Sequence, residues 1–180
     1  MLSIHIMRNI TLLFLLILSL CSSGQTKNPF LSLRFDKVIM YDYQSAGEDH
    51  ELIDNRGQFI TSVKIKKQVQ LDSATIKQLN KRLGDKKSYG QVTAMCFEPH
   101  LGIVYYLNGK IIRHVLVCIE CNGLSADIDI SAQHQDKQGQ GDKAYYLGNG
   151  MSKFFRRYLN GLLIRYNFSH QIKAGSMFDK

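Results

Sequence analysis

Asn108-Gly109 stands between two apolar runs, Ile103-Val104-Tyr105-Tyr106-Leu107 and Lys110-Ile111-Ile112, and no other dipeptide limits the fold so strongly. Asn-Gly supplies the two positive φ angles of a type I′ turn, the turn whose twist matches two antiparallel strands. The register follows: Leu107 faces Lys110, and every deeper pair sums to the same total. Extended without interruption, that ladder sets Cys96 opposite Cys121. Pro99 lies on this path and cannot donate to a ladder.

The rest of the chain supplies partners for the hairpin. Over residues 31–43 the apolar side chains alternate, with Leu31, Leu33, Phe35, Ile39, Tyr41 and Tyr43 on one side, which predicts a strand with one buried face. Residues 61–71 alternate again, with Val63, Ile65, Val69 and Leu71 against Lys64, Lys66, Gln68 and Gln70, a half-exposed strand with a basic outer face. The period then lengthens. Asp72 is placed to cap a helix carrying Ile76, Leu79 and Leu83, and Gly84 to end it. Val115-Leu116-Val117-Cys118-Ile119 is apolar on both faces, as a covered central strand is. Leu124, Ala126, Ile128 and Ile130 alternate with polar residues and predict another strand. Residues 132–150, rich in Gln, Gly, Lys and Asp, predict a long mobile loop. From Met151 a helical stripe of Phe154, Phe155, Tyr158, Leu159, Leu162, Leu163 and Tyr166 turns inward, with Lys153, Arg156, Arg157 and Arg165 outward. The expected class is α+β: an antiparallel sheet of about five strands with two helices packed on one face.

The N-terminus bears on compartment. Arg8 is the only charge among the first 24 residues, and it precedes an apolar core, Ile10 to Leu20, followed by Ser22, Ser23 and Gly24. Those are the three parts of a secretory signal, and the core falls short of the roughly 20 residues a spanning helix needs. Residues 1–24 are expected to be a signal peptide and 25–180 a single domain. Lipid attachment at Cys21 is the alternative, although Leu18-Ser19-Leu20 lacks the small residue such processing favours just before the cysteine. The expected location is periplasmic or extracellular. A net charge of +8 suits an acidic protein or an anionic surface as partner, through strand 61–71 and helix 151–166. Nucleic acid is not expected.

Three cysteines remain after the leader: Cys96, Cys118 and Cys121. An exported chain meets oxidants, so a disulfide with one thiol left over is the natural outcome, and the register favours Cys96 with Cys121. Cys96-x3-His100 followed by Cys118-x2-Cys121 is also a set of four donors of the kind zinc takes. Thiol redox chemistry at Cys118/Cys121 is the third reading, but redox cysteines usually sit at a helix N-terminus, where the thiolate is stabilised. Other polar candidates are plainer. His114 reads as a satisfied core histidine, Glu98 and Glu120 as a solvated face, and His170 as a helix-end residue serving the dipole. No serine-nucleophile or zinc-protease motif is present.

Cys96-Phe97-Glu98-Pro99-His100-Leu101-Gly102, then Val117-Cys118-Ile119-Glu120-Cys121-Asn122, resembles a pattern of exported bacterial proteins to which no activity is attached. Gly150-Met151-Ser152 through His170 resembles the end of such chains. The resemblance implies that the three cysteines matter as a unit and carries over no mechanism. The expectation is therefore an exported binding or structural domain, leaning away from catalysis, with no cofactor, or with zinc on the alternative reading.

Overall fold

The structure, a computed structural model, describes residues 28–45, 50–94, 96–138, 145–172 and 175–179. The leader and Cys21 lie outside the described residues. Five strands form an antiparallel sheet in the order β2-β1-β4-β5-β6. They are β1 (Lys37–Gln44), β2 (Lys64–Gln70), β4 (Leu101–Leu107), β5 (Lys110–Cys118) and β6 (Gly123–Ala126), and β3 (Tyr89–Gln91) stands apart from them. Helices α1 (Ser73–Leu83) and α2 (Lys153–Arg165) pack on one face. The expected α+β class and helix placement are those observed.

The helices begin where short polar side chains stop the backbone donors. Asp72 accepts from the Thr75 N–H and hydroxyl, both at 2.8 Å, and Ser152 accepts from the Phe155 N–H. Gly84 does end α1, but at φ −104° rather than in a left-handed cap. Its role is spatial: a Cβ there would stand 2.0 Å from the Asn28 side chain, which donates to the Asn80 carbonyl at 2.9 Å.

The sheet is covered on both sides. Val38, Met40, Leu101, Ile103, Tyr105, Val115 and Val117 meet Leu79, Leu83, Phe155, Leu159 and Leu162 of the helices. On the opposite face Tyr41, Tyr43, Val104, Tyr106 and Leu116 are covered by Leu52 and Ile53. Gly102 makes room for that cover, since a Cβ on it would fall 2.2 Å from Leu52 Cδ2. β1 was expected to bury one face, that of its odd positions; Tyr41 and Tyr43 are buried in the smaller cluster, but Val38 and Met40 are buried against the helices, so both faces are covered.

Four further expectations are corrected. The hairpin opens in the expected register, Leu107 with Lys110 and Tyr106 with Ile111, but a bulge follows and Tyr105 pairs with Arg113. Ile112 is the additional residue, and all deeper pairs shift by one. The strand expected over 124–130 ends at Ala126, because Asp127 turns its carboxylate onto the His114 N–H at 2.8 Å. The predicted long loop contains β7 (His134–Gln138) paired with β8 (Tyr145–Gly148), and β9 (Gly150–Met151) paired with β3. On α2, Phe154 is 63% exposed and Arg156 only 1%, the reverse of the expected faces. Phe154 lies under the Arg82 guanidinium, 4.2 Å from its ring centre, a contact favourable enough at the surface to hold an aromatic there.

These faces separate two neighbouring phenylalanines. Phe155→Ala should lower the unfolding free energy by about 3–5 kcal/mol, the usual cost of emptying a buried aromatic site. Phe154→Ala should cost less than about 1 kcal/mol, the scale of an exposed cation–π contact. Urea unfolding of the two variants measures both, and equal losses would contradict the assigned faces.

Candidate functional site: a disulfide corner and a stacked histidine pair

The end of the sheet where β4 begins and β5 finishes holds both clusters of chemistry-bearing side chains. The first is the corner after β5. Cys118 and Cys121 are joined by a disulfide, with Cα atoms 5.5 Å apart. Both residues are buried, at 1% and 2% exposure. The corner closes because Asn122 adopts φ 57°, a left-handed conformation that asparagine tolerates better than most residues. The Cys121 N–H donates to Cys118 Sγ at 3.2 Å.

Side chains then sew the corner to the rest of the domain. Asn122 Nδ2 donates to the carbonyls of Val92 at 2.9 Å and Met151 at 3.0 Å. From α2, Arg156 Nη1 donates to the Ile119 carbonyl at 2.6 Å and to Asn122 Oδ1 at 3.3 Å, and Nη2 donates to Ser176 Oγ at 3.2 Å. Beside it lies a cavity of about 210 Å³ bounded by Ile119, Glu120, Gln171, Ile172 and Met177. Charge inside a protein needs such satisfied geometry, because an unpaired buried cation is expensive.

Cys96 is a free, exposed thiol. It is therefore not the partner of Cys121 that the unbroken register implied. The bulge at Ile112 moves the ladder by one, and the ladder stops at Leu101 with Val117. Yet Cys96 stays in the neighbourhood. The Ala94 N–H donates to the Cys121 carbonyl at 2.9 Å. The Phe97 ring packs over Gly123, where an added Cβ would meet Phe97 Cδ2 at 2.8 Å and Cys121 Sγ at 3.4 Å. The four proposed zinc donors, Cys96, His100, Cys118 and Cys121, are not gathered as a ligand set. Two sulfurs are bonded to each other, and among the described residues no group of three or more His, Cys, Asp or Glu side chains is arranged to hold a metal.

The second cluster joins His100 and His170, which lie far apart in sequence, to Asp42, which no sequence motif marks. Asp42, two residues before the end of β1, is 2% exposed. Its carboxylate accepts from the Ser169 N–H, from the Ser169 hydroxyl at 3.1 Å and from His170 Nδ1 at 2.9 Å. The His170 ring stacks on His100, with centroids 4.0 Å apart and planes 10° from parallel. His100 Nδ1 donates to the Tyr43 carbonyl at 3.2 Å. The helix ends at Arg165, five residues before His170, so His170 is a clamp on Asp42 rather than the expected helix-end residue serving the dipole. Of the other candidates, Glu98 is exposed and 3.8 Å from His50 Nε2. His114 is half-buried, with Nδ1 3.7 Å from Asp127.

Burial alone would raise the Asp42 carboxyl. The hydrogen bonds from Ser169 and His170, with the His170 charge, outweigh burial and hold it below the ordinary aspartate value. For His100, burial first and the His170 charge second depress the imidazole, against the opposing pull of the Tyr43 carbonyl, Glu120 and Glu98. No protein-family model, curated protein or solved structure matches this chain. Among the described residues, no helix is long and apolar enough to cross a membrane.

The depressed histidine fixes the sign of a pH effect. Just below the ordinary histidine value of about 6.5 the unfolded chain binds a proton that folded His100 refuses, so stability is full above that pH and falls on acidification. Asp42 adds a second loss at lower pH, below the ordinary aspartate value. Urea midpoints from pH 8 to pH 5 should fall more steeply for the native sequence than for His100→Gln. Parallel curves would show that the stack carries no proton linkage.

Proposed function

We propose that this chain is an exported, non-catalytic binding domain in which the Cys118–Cys121 bond is a structural crosslink. The observation that carries the reading is the burial of both sulfur-bearing residues at a corner held by Asn122 and Arg156. Buried cysteines in satisfied surroundings act as structural elements, whereas catalytic ones lie in accessible, electropositive sites. Two charged groups at this end, Asp42 and Arg156, face inward to protein partners, while Glu98 and Glu120 are exposed. Asp42 holds Ser169 and His170, and Arg156 holds Ile119, Asn122 and Ser176. A disulfide in a small domain belongs to an oxidising compartment, which agrees with the signal-like residues 1–24.

The partner this reading favours is acidic or anionic. β2 is an edge strand, and Lys64 and Lys66 on it are exposed. Lysines on an edge discourage chance strand pairing. They also present a positive rim to a complementary surface.

Two measurements test this. Peptide mapping of the alkylated full chain should find Cys118 joined to Cys121 and Cys96 free. Cys118→Ser and Cys121→Ser should each lose about 2 kcal/mol of stability from opening so short a loop, while Cys96→Ser stays within about 0.5 kcal/mol, as exposed substitutions do. Free thiols at both Cys118 and Cys121 in protein prepared without reductant would overturn the crosslink. Separately, binding to an immobilised acidic peptide should weaken steeply with salt and fall in Lys64→Glu/Lys66→Glu. Salt-independent binding would exclude the basic edge as the contact.

A further inference from the structure

A buried disulfide in a folded domain raises a question of access: an oxidant from solution cannot reach two sulfurs that are almost wholly covered. The third cysteine answers it. Cys96 is exposed, and both flanks of it touch the crosslinked corner, Ala94 through its hydrogen bond to the Cys121 carbonyl and Phe97 through its packing over Gly123 beside Cys121 Sγ. Two residues of extended chain span at most about 7 Å, so Cys96 cannot stray far from the residue that Ala94 grips.

We infer that Cys96 is the entry thiol through which the buried Cys118–Cys121 pair exchanges disulfides with small-molecule or protein disulfides outside the domain. This deepens the structural-crosslink reading and rests on it. In the forming direction the Cys96 thiolate attacks an external disulfide, that S–S bond breaks, and one external thiolate leaves. The Cys121 thiolate then attacks the Cys96 sulfur, making a Cys96–Cys121 bond and releasing the second external thiolate. Finally the Cys118 thiolate attacks the Cys121 sulfur, which forms the Cys118–Cys121 bond and returns Cys96 as a thiolate. Two protein thiols are oxidised and one external disulfide is reduced to two thiols. The protons lost by Cys118 and Cys121 are taken up by the two external thiolates.

The geometry selects the order of these steps. Disulfide exchange is fastest when the departing sulfur is the better stabilised thiolate. Cys118 Sγ is the sulfur that receives a backbone N–H, from Cys121 at 3.2 Å. The Arg156 guanidinium, fixed on Ile119 and Asn122, adds positive charge beside the same turn, which favours thiolate over thiol. In the reverse direction Cys96 therefore attacks Cys121, with Cys118 leaving. Cys121 is also the cysteine whose sulfur shares the space over Gly123 with Phe97. Exchange requires the Phe97 ring, itself partly exposed, to swing off Gly123.

The test traps the middle species. Full-length Cys118→Ser, folded by circular dichroism and treated with oxidised glutathione, should yield a Cys96–Cys121 peptide link. Cys121→Ser should stop at a glutathione adduct on Cys96. Reduced, folded protein with the native cysteines should re-form Cys118–Cys121 with oxidised glutathione about tenfold or more faster than Cys96→Ser, the exposed thiolate being the reactive one. A folded Cys118→Ser protein that keeps Cys121 free, or a Cys96→Ser protein that reoxidises at the native rate, overturns the relay while leaving the crosslink intact. Absence of the Cys118–Cys121 bond from the native sequence overturns the crosslink itself. If Cys118→Ser fails to fold, the comparison of rates in Cys96→Ser still decides.

Discussion

The pairing of β4 with β5 is the constraint on which the other features depend. β4 is the middle strand, hydrogen-bonded to β1 on one side and β5 on the other, and every residue from Leu101 to Tyr106 is buried. Its odd positions meet the helices and its even positions meet Leu52 and Ile53. A slip of one residue would exchange those two sets. It would also drive a side chain into the space that Gly102 leaves for Leu52. The Asn108-Gly109 turn starts the register, and the bulge at Ile112, opposite Tyr105 and Tyr106, completes it. That bulge lies a few residues from the turn, yet it decides which residue Cys121 can meet at the far end of the sheet.

What the sequence made legible was the part governed by periodicity and turn chemistry. The hairpin, the cap at Asp72, the two helices and the antiparallel α+β arrangement all come from local rules, and all are present. The bulge was not legible, because Ile111 and Ile112 are equally apolar and either could have been left unpaired. The burial of Arg156 was hidden for a related reason. A helical stripe assigns charged residues outward, and partners placed by distant parts of the chain, the carbonyl of Ile119, the amide of Asn122 and the hydroxyl of Ser176, reverse that. Phe154 took the surface position in consequence, with Arg82 as its cover.

Asp42 illustrates the same limit more sharply. Along β1 it is one charged residue in an apolar run, and alternation gives it no partner. Its partners, Ser169 and His170, lie 127 and 128 residues away. The cost of burying a carboxylate is met only when those donors arrive, so the bond is a product of the complete fold rather than of any segment. The faint signal available was Phe168-Ser169-His170, a donor-rich tripeptide directly after a helix, which has an acceptor to seek.

The two clusters are connected through a single stretch of chain. Ala94 stands at the disulfide corner, and residues 96–100 lead to the histidine stack. Ala94 is bonded to Cys121, Phe97 covers Gly123, Pro99 is buried, and His100 is held between the Tyr43 carbonyl and the His170 ring. α2 ties the same two places from the other side, with Arg156 on the corner and Ser169–His170, just past its end, on Asp42. The segment is thus gripped at both ends, while Cys96, Phe97 and Glu98 in its middle remain exposed. A chain built only to cross from β3 to β4 would need no such grip at its ends, and here the grip leaves the Cys96 thiol outward while the Phe97 ring lies over Gly123. Fixed ends with an accessible middle are what an exchange thiol requires: reach toward the buried sulfurs on one side, and contact with solvent on the other.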